Sequence, residues 1–472
     1  MKRALLATVL ALGATITGAT AAQAAPPPGI DWQPCAENAA VECSTITVPI
    51  DHARPSTGTI EVAVARRKAT DPANRTGVLM YMPGGPGGSG VSRLLGGNPM
   101  PPAVAARFDV VSFDPRGTNR SNPVTCDADL LAEQPKTAPT RGVTLADVKA
   151  YSRALADSCR EHTGPLIDHI DSVDYAYDID AIRAALGERK LTLYGISYGT
   201  LTGQMYAENF PHRVRAMLLD SVFDHSLDPE RFVLTEAEAG EDAFVQFENW
   251  CATDPTCVLH GQDVGQVYRE IFDTTADPVS FSQATTGYLY GPRWPELAEF
   301  LSSQQQQQSA LAAAETAPFP LASYCADHRV RFSSQREWEA LYHEQSTVAP
   351  TLGTHFAWGA VSLCSGWTGT VGNPQHRTDA DDAPPILLMN SLYDPATGYA
   401  WAKSVHRQLD DSVLLTYDGW GHGVIDRSDC TRDAATRYLV DNKLPRPGTH
   451  CAAVAPPTAQ TAAAEATAVT HW

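Results

Sequence analysis

The sequence predicts an α/β fold, a mostly parallel sheet with helices between its strands and a large, mainly helical insertion near its middle. Two observations carry this. Short apolar runs alternate with helical stretches before Val222 and again after about Asp382, which is the pattern of a parallel sheet. Between those points the alternation stops for about 160 residues, too long for a plain loop. The expected organisation is therefore a sheet domain in two parts, 25–221 and 383–451, with a cap over 222–382.

The strand candidates in chain order are Ile60 to Ala65, Val78 to Met82, Val110 to Phe113, Leu191 to Tyr194, Val214 to Leu219, Ile386 to Met389 and Val413 to Tyr417. They are rich in Val, Ile, Leu and Tyr and bounded by Gly, Pro or polar residues. In such a sheet the catalytic residues collect at the C-terminal strand ends, so the residues just past each strand matter most.

After Leu191 to Tyr194 comes Gly195-Ile196-Ser197-Tyr198-Gly199, and then Leu201, Met205, Tyr206 and Phe210 at helical spacing. A serine between two glycines on a strand-to-helix turn is the setting of an exposed nucleophile. The turn is too tight for bulky flanking residues.

A serine nucleophile needs a base, and the base an orienting acid. Asp394 follows the Ile386 to Met389 strand, where Pro395 stops the ladder, and His422 sits in Gly421-His422-Gly423 after the Val413 to Tyr417 strand. Proline has no N–H to donate to a sheet. The order Ser197, Asp394, His422 suits acyl transfer: His422 takes the serine proton, and Asp394 holds the imidazole in the right tautomer.

Val78 to Met82 breaks into Pro83-Gly84-Gly85-Pro86-Gly87-Gly88-Ser89-Gly90, five glycines in eight residues. The Lys-Ser/Thr pair of a phosphate-binding loop is missing. An oxyanion hole fits better, with the N–H groups of Gly85 and Tyr198 as its donors.

These motifs, with Asp114-Pro115-Arg116-Gly117-Thr118-Asn119-Arg120-Ser121, resemble the secreted bacterial tripeptidyl aminopeptidases, of the prolyl-aminopeptidase group of alpha/beta hydrolases. The resemblance runs from about Asp31 to Cys451. It implies an alpha/beta hydrolase fold and a serine exopeptidase that releases tripeptides, sometimes tetrapeptides, from free N-termini of peptides and proteins. Pro83 stands where the prolyl aminopeptidases carry histidine. Release of single residues after the prolyl pattern, or a secreted carboxylesterase or lipase with the same triad, are the alternatives; a catalytically idle binding protein is disfavoured by the complete triad.

An exopeptidase must close one end of its cleft, and a carboxylate can pair with the substrate ammonium there. On the helix opening the cap, Glu241 and Glu248 lie within about 60° of Phe244 at 100° per residue, and they are the expected amine-binding acids. Trp294, Tyr324, Trp338, Trp358 and Trp367 are expected to pack the cap core or line side-chain subsites. Gln304 to Gln308 reads as an exposed helix surface.

Met1-Lys2-Arg3, the apolar Ala4 to Gly18 and Ala22-Gln23-Ala24 form a secretory signal over 1–24, shorter than the ~20 apolar residues of a membrane span. Ten cysteines, an even number in an exported chain, suit disulfides. Nearest-neighbour pairing gives Cys35–Cys43, Cys126–Cys159, Cys251–Cys257, Cys325–Cys364 and Cys430–Cys451. No zinc motif occurs, and neither metal nor cofactor is expected. The net charge of −19 excludes a nucleic-acid partner, so the expected partners are peptide or protein N-termini, met by a secreted monomer with no membrane attachment after signal cleavage. Residues 452–472, rich in Ala, Thr and Pro, read as a disordered tail.

Overall fold

The computed structural model describes residues 29–304 and 316–455. The expected signal segment, most of the glutamine run and most of the expected tail lie outside the described residues.

The strands are β1 (Gln33–Pro34), β2 (Glu42–Pro49), β3 (Thr59–Arg67), β4 (Gly77–Met82), β5 (Phe108–Phe113), β6 (Thr125–Asp127), β7 (Leu191–Ile196), β8 (Val214–Asp220), β9 (Thr316–Pro318), β10 (Ile386–Tyr393), β11 (Ser412–Trp420) and β12 (His450–Cys451). Ten form one sheet in the order β1-β2-β3-β5-β4-β7-β8-β10-β11-β12. From β5 to β12 every neighbouring pair is parallel, and β1, β2 and β3 add an antiparallel edge. All seven expected strands are present. The antiparallel β2 is polar on alternate positions and half-exposed, so it carries no continuous apolar run of the kind that marks a strand buried on both faces.

The alternation of the central strands divides their side chains between two cores. Leu191 and Leu193 pack on one face with Met80, Met217 and Leu388. Tyr194 and Ile196 pack on the other with Leu79, Leu218 and Leu387. This is the two-residue period of a pleated strand with helices on both sides. Strand order reverses at β4, whose neighbours are β5 and β7. The crevice beyond the strand ends at such a switch point is where α/β sheets bind ligands.

Between β8 and β10 the chain is mainly helical. The first helix, Pro229–Thr253, is capped by Asp228, which accepts from the Arg231 N–H. Phe244, Phe247 and Cys251 are fully buried along one face, packed with Tyr268, Trp294 and Leu297. The roof also takes chain from before the nucleophile. β6 pairs with β9, the Trp358 indole donates to the Thr137 carbonyl at 2.6 Å, and Ser152 Oγ donates to the Leu363 carbonyl at 2.5 Å. Sequence alternation could not reveal this, because β6 is three residues long and pairs across nearly two hundred positions.

All five nearest-neighbour disulfides are formed: Cys35–Cys43, Cys126–Cys159, Cys251–Cys257, Cys325–Cys364 and Cys430–Cys451. Each closes a loop of 6 to 39 residues. The chain keeps its cysteine partners local.

Candidate active site

Ser197 stands between β7 and the helix Tyr198–Asn209 with φ +58° and ψ −130°. Such a conformation costs ~1–3 kcal/mol in a non-glycine residue and persists only when its surroundings enforce it. Here they do. The Ser197 N–H donates to the Asp220 carbonyl at 3.0 Å, and Thr200 N donates back to the Ser197 carbonyl at 2.8 Å. A Cβ on Gly195 would lie 2.5 Å from the Gly199 carbonyl oxygen, and one on Gly199 would lie 2.2 Å from the Met82 oxygen. The two glycines are thus required by close backbone approach to each other and to the end of β4.

Asp394 follows β10 directly, and His422 lies in the loop after β11. His422 Nδ1 meets Asp394 Oδ1 at 2.9 Å and Oδ2 at 3.1 Å. Asp394 also accepts from the N–H groups of Ala396 at 3.0 Å and Thr397 at 2.9 Å and from the Thr397 hydroxyl at 3.1 Å. Burial by itself would raise this carboxyl. The His422 charge and the hydrogen bonds from His422, Ser221 and the Ala396 amide outweigh it and hold Asp394 below the usual aspartate value. Asp394 therefore stabilises the fold fully above the ordinary carboxylate pKa, and that contribution is lost as pH falls through the lower folded value.

With Nδ1–H given to Asp394, the Nε2 lone pair of His422 is free to act as base. Among the described residues no hydrogen bond joins Ser197 Oγ to His422; such contacts are often long before substrate arrives. Tyr290, at the end of the cap helix Pro278–Tyr290, bridges the two residues. Its ring centroid is 4.9 Å from that of His422, its carbonyl accepts the His422 N–H at 2.8 Å, and it lines the Ser197 cavity.

The histidine loop has further supports that motif reading did not find. Asp220, buried at the end of β8, accepts from the N–H groups of Val424 and Ile425 and from the Tyr194 hydroxyl. Ser221 Oγ accepts from the Gly423 N–H at 2.7 Å, and Ser391 Oγ donates to the Gly421 carbonyl at 2.6 Å. One strand end, Asp220-Ser221, therefore positions both the Ser197 turn and the His422 loop. The signal available in sequence was a polar pair closing an apolar strand, a pattern shared by many strands without such a role.

Gly85 and Tyr198, the expected oxyanion donors, line the same cavity as Ser197. The glycine-rich loop is anchored at its far end by Asp114, which accepts from Ser89 Oγ at 2.6 Å and the Val91 N–H at 3.1 Å. Arg116 of the same motif is fully buried and donates to Asp178 and to the carbonyls of Pro49, Ile50 and His169. Tyr198 is tied down from the cap: its hydroxyl bonds Asp327, which also accepts from Ser172 and Asn373. Burial first, then the charge of Asp171, raises Asp327 to about 7.

The expected amine-binding acids are placed elsewhere. Glu241 accepts from the Thr351 and Leu352 N–H groups at 3.0 and 2.7 Å, closing a turn within the cap. Glu248 is half-buried beside Gly265, and burial, then Glu241 and Asp263, push it up to about 7. Neither lines the Ser197 cavity. Its acid is Glu236 of the same helix, 3% exposed, whose carboxylate accepts from the Ala357 N–H at 2.6 Å and pairs with His355 Nδ1 at 2.8 Å. Five residues along a helix is a turn of about 140°, enough to move a carboxylate from the cavity to the cap interior. The cap aromatics divide similarly. Trp294, Tyr324, Trp338 and Trp358 are buried packing and Trp367 half-buried, whereas Phe223, Phe232, Tyr290, Phe356 and Trp401 line the Ser197 cavity. Among the described residues no cluster of His, Cys, Asp and Glu is arranged to hold a metal ion.

The arrangement can carry out acyl transfer. In such a reaction Ser197 Oγ would attack a carbonyl as His422 took its proton, with Asp394 stabilising the imidazolium. The amides of Gly85 and Tyr198, which line the same cavity, would be the donors to the oxyanion. His422 would then give the proton to the leaving atom, and water would repeat the sequence to free the enzyme.

The sequence matches the alpha/beta hydrolase fold family over residues 77–271 and the TAP-like protein family over residues 349–451. It is 31% identical to serine protease Hip1 of Mycobacterium tuberculosis over 92% of this chain and 94% of that protein. It is 30% identical to the tripeptidyl aminopeptidase of Streptomyces lividans over 95% of this chain and 90% of the relative. Carboxylesterase B of Mycobacterium tuberculosis is also 30% identical, over 90% of both chains. With a serine turn, an Asp–His pair and a glycine-rich loop converging under a helical cap, the chain belongs to the tripeptidyl aminopeptidase family of alpha/beta hydrolases and is a serine hydrolase of the peptidase class.

Proposed function

We propose that this protein is an exported exopeptidase that releases tripeptides from free N-termini of peptides and proteins through an acyl-enzyme on Ser197, with His422 as base, Asp394 as its orienting acid, and Gly85 and Tyr198 as oxyanion donors. The observation that carries the tripeptide reading is a chamber next to the nucleophile. The Ser197 cavity is only about 70 Å³, but it shares Gly85 and Phe356 with a chamber of about 470 Å³. One residue next to the scissile bond suits the first space, and two more suit the second. The chamber also holds Asp277, which pairs with Lys136 at 2.9 Å and accepts from the Ser280 N–H and hydroxyl; a substrate ammonium would replace Lys136 as its cation. The name of the Streptomyces relative agrees with this reading. The five disulfides support export.

One observation favours a second reading. Glu236 lies in the Ser197 cavity itself, and an ammonium bound there would sit one residue from the scissile carbonyl, giving single-residue release. Peptides of increasing length, each with a free and an acetylated N-terminus, separate the cases when the products are identified by mass. Tripeptides from free termini alone support the first reading, and single residues the second. Equal cleavage of acetylated peptides would sink both in favour of an esterase-like hydrolase without amine recognition.

A further inference from the structure

The helix Phe356–Cys364 runs from the Ser197 cavity into the larger chamber. Phe356 lines both spaces, and Gly359, Ala360 and Leu363, on the same face at steps of three and four residues, line the chamber. At a rise of about 1.5 Å per residue, Gly359 lies about 4.5 Å and Leu363 about 10.5 Å along the axis from Phe356. An extended chain advances about 3.3 Å per residue, so three substrate residues match the length from Phe356 to Leu363. Val279, Ser280 and Gln283 of the helix Pro278–Tyr290 form the neighbouring wall, beside its cap Asp277.

Gly359 is the residue of that face which the fold does not explain. Glycine is a poor choice for a helix interior. The buried helix glycines Gly203 and Gly240 are retained by packing, since a Cβ would lie 2.7 Å from Leu219 Cδ2 in the first and 2.7 Å from Leu352 Cδ2 in the second. Gly359 has no such reason. A Cβ there would meet Val279 Cγ1 at 3.5 Å and Gln283 Nε2 at 3.6 Å, ordinary contact distances, and its backbone is helical. Packing and backbone both admit alanine, so what the missing side chain serves is the open space of the chamber.

We propose that Gly359 is a specificity-determining position: by carrying no side chain, it makes room for the side chain of the middle residue of the released tripeptide. This rests on the reading of the 470 Å³ chamber as the seat of the first two substrate residues. With the scissile carbonyl at Gly85 and Tyr198 and the third residue in the Ser197 cavity, the next residue toward the amino end comes beside Gly359. The ammonium then lies farther in, at the Asp277 carboxylate. Val279 beside Gly359, with Phe319 and Leu363 elsewhere in the lining, favours an apolar middle residue such as leucine.

The p-nitroanilides of Ala-Ala-Ala and Ala-Leu-Ala, both with free amines, test this when the products are identified by mass. The unsubstituted protein should turn over Ala-Leu-Ala at least as well as Ala-Ala-Ala. Gly359→Ala should lower kcat/KM for Ala-Leu-Ala about tenfold relative to Ala-Ala-Ala and leave Tm equal or higher. Gly359→Leu should lower kcat/KM for both tripeptides about 100-fold relative to p-nitrophenyl acetate, whose acyl group reaches only the Ser197 cavity; global unfolding does not move that ratio. An unchanged ratio of the two tripeptides in Gly359→Ala, or a lower Tm, would overturn the assignment while tripeptide release stands. Single alanine freed by the unsubstituted protein would instead overturn the tripeptide reading, and the assignment with it.

Discussion

The sheet half of the site and the cap half are built on different principles. In the sheet half, Ser197, Asp394 and His422 each follow a parallel strand directly or within two residues, and bonds from Asp220, Ser221 and Ser391 to main-chain groups hold the loops. In the cap half, Glu236, Tyr290 and Phe356 reach the cavity from helices, so each position depends on how those helices rotate and pack. A strand end fixes a residue within one or two positions, whereas a helix presents a different residue every 100°. Under the proposed function, the chemistry would sit on the rigid element and the selectivity on the adjustable one.

The largest effects should come from the sheet half. Ser197→Ala or His422→Ala should lower kcat by about 10⁶-fold with the fold intact by circular dichroism, and Asp394→Asn by about 10⁴-fold. Retained turnover in Ser197→Ala would remove the distinction between the halves altogether.

The cap should answer next, in selectivity rather than rate. Under tripeptide release, Asp277→Asn should cut the preference for free over acetylated N-termini by about 100-fold in kcat/KM; under single-residue release the same loss should follow Glu236→Gln. Competition kinetics with paired peptides distinguishes them. Glu241→Gln should leave that preference unchanged, because its carboxylate is committed to the Thr351 and Leu352 amides.

Asp327→Ala tests the bond between the halves. It strips partners from the buried Tyr198 hydroxyl, Ser172 and Asn373 and should destabilise the protein by ~3 kcal/mol, read from denaturant unfolding. A loss confined to the cap's own stability would show that Tyr198 needs no support from above.

The smallest effect concerns Glu248. Its folded pKa of about 7 lies above the ordinary glutamate value, so the unfolded chain ionises first and stability falls as pH rises between the two. Glu248→Gln should therefore raise Tm by about 1–2 °C at pH 8 and leave it unchanged near pH 4. An equal rise at both pH values would assign the effect to packing instead of charge.

The expected triad rests on local signatures, a serine between glycines, an aspartate before proline and a histidine between glycines, each after an apolar strand, and the structure brings Asp394 and His422 into contact. The cap acid has no such signature. Glu236, Glu241 and Glu248 lie on one helix beside apolar residues, and helical periodicity identifies a face without saying what faces it. Asp220 and Asp327 were likewise invisible, since nothing near them in sequence shows that their carboxylates meet the Val424 amide or the Tyr198 hydroxyl.

What the sequence determined by itself is the α/β sheet, the strand-end setting of the candidate residues Ser197, Asp394 and His422, and the local pairing of ten cysteines. These depend on strand periodicity, turn chemistry and short chain separations. Only the tertiary structure decided that the roof includes chain from before Ser197, that Glu236 and not Glu241 shares the Ser197 cavity, and that Tyr290 meets His422. Each joins residues dozens to hundreds of positions apart, brought together by how helices pack over the sheet, and that packing is a property of the whole chain.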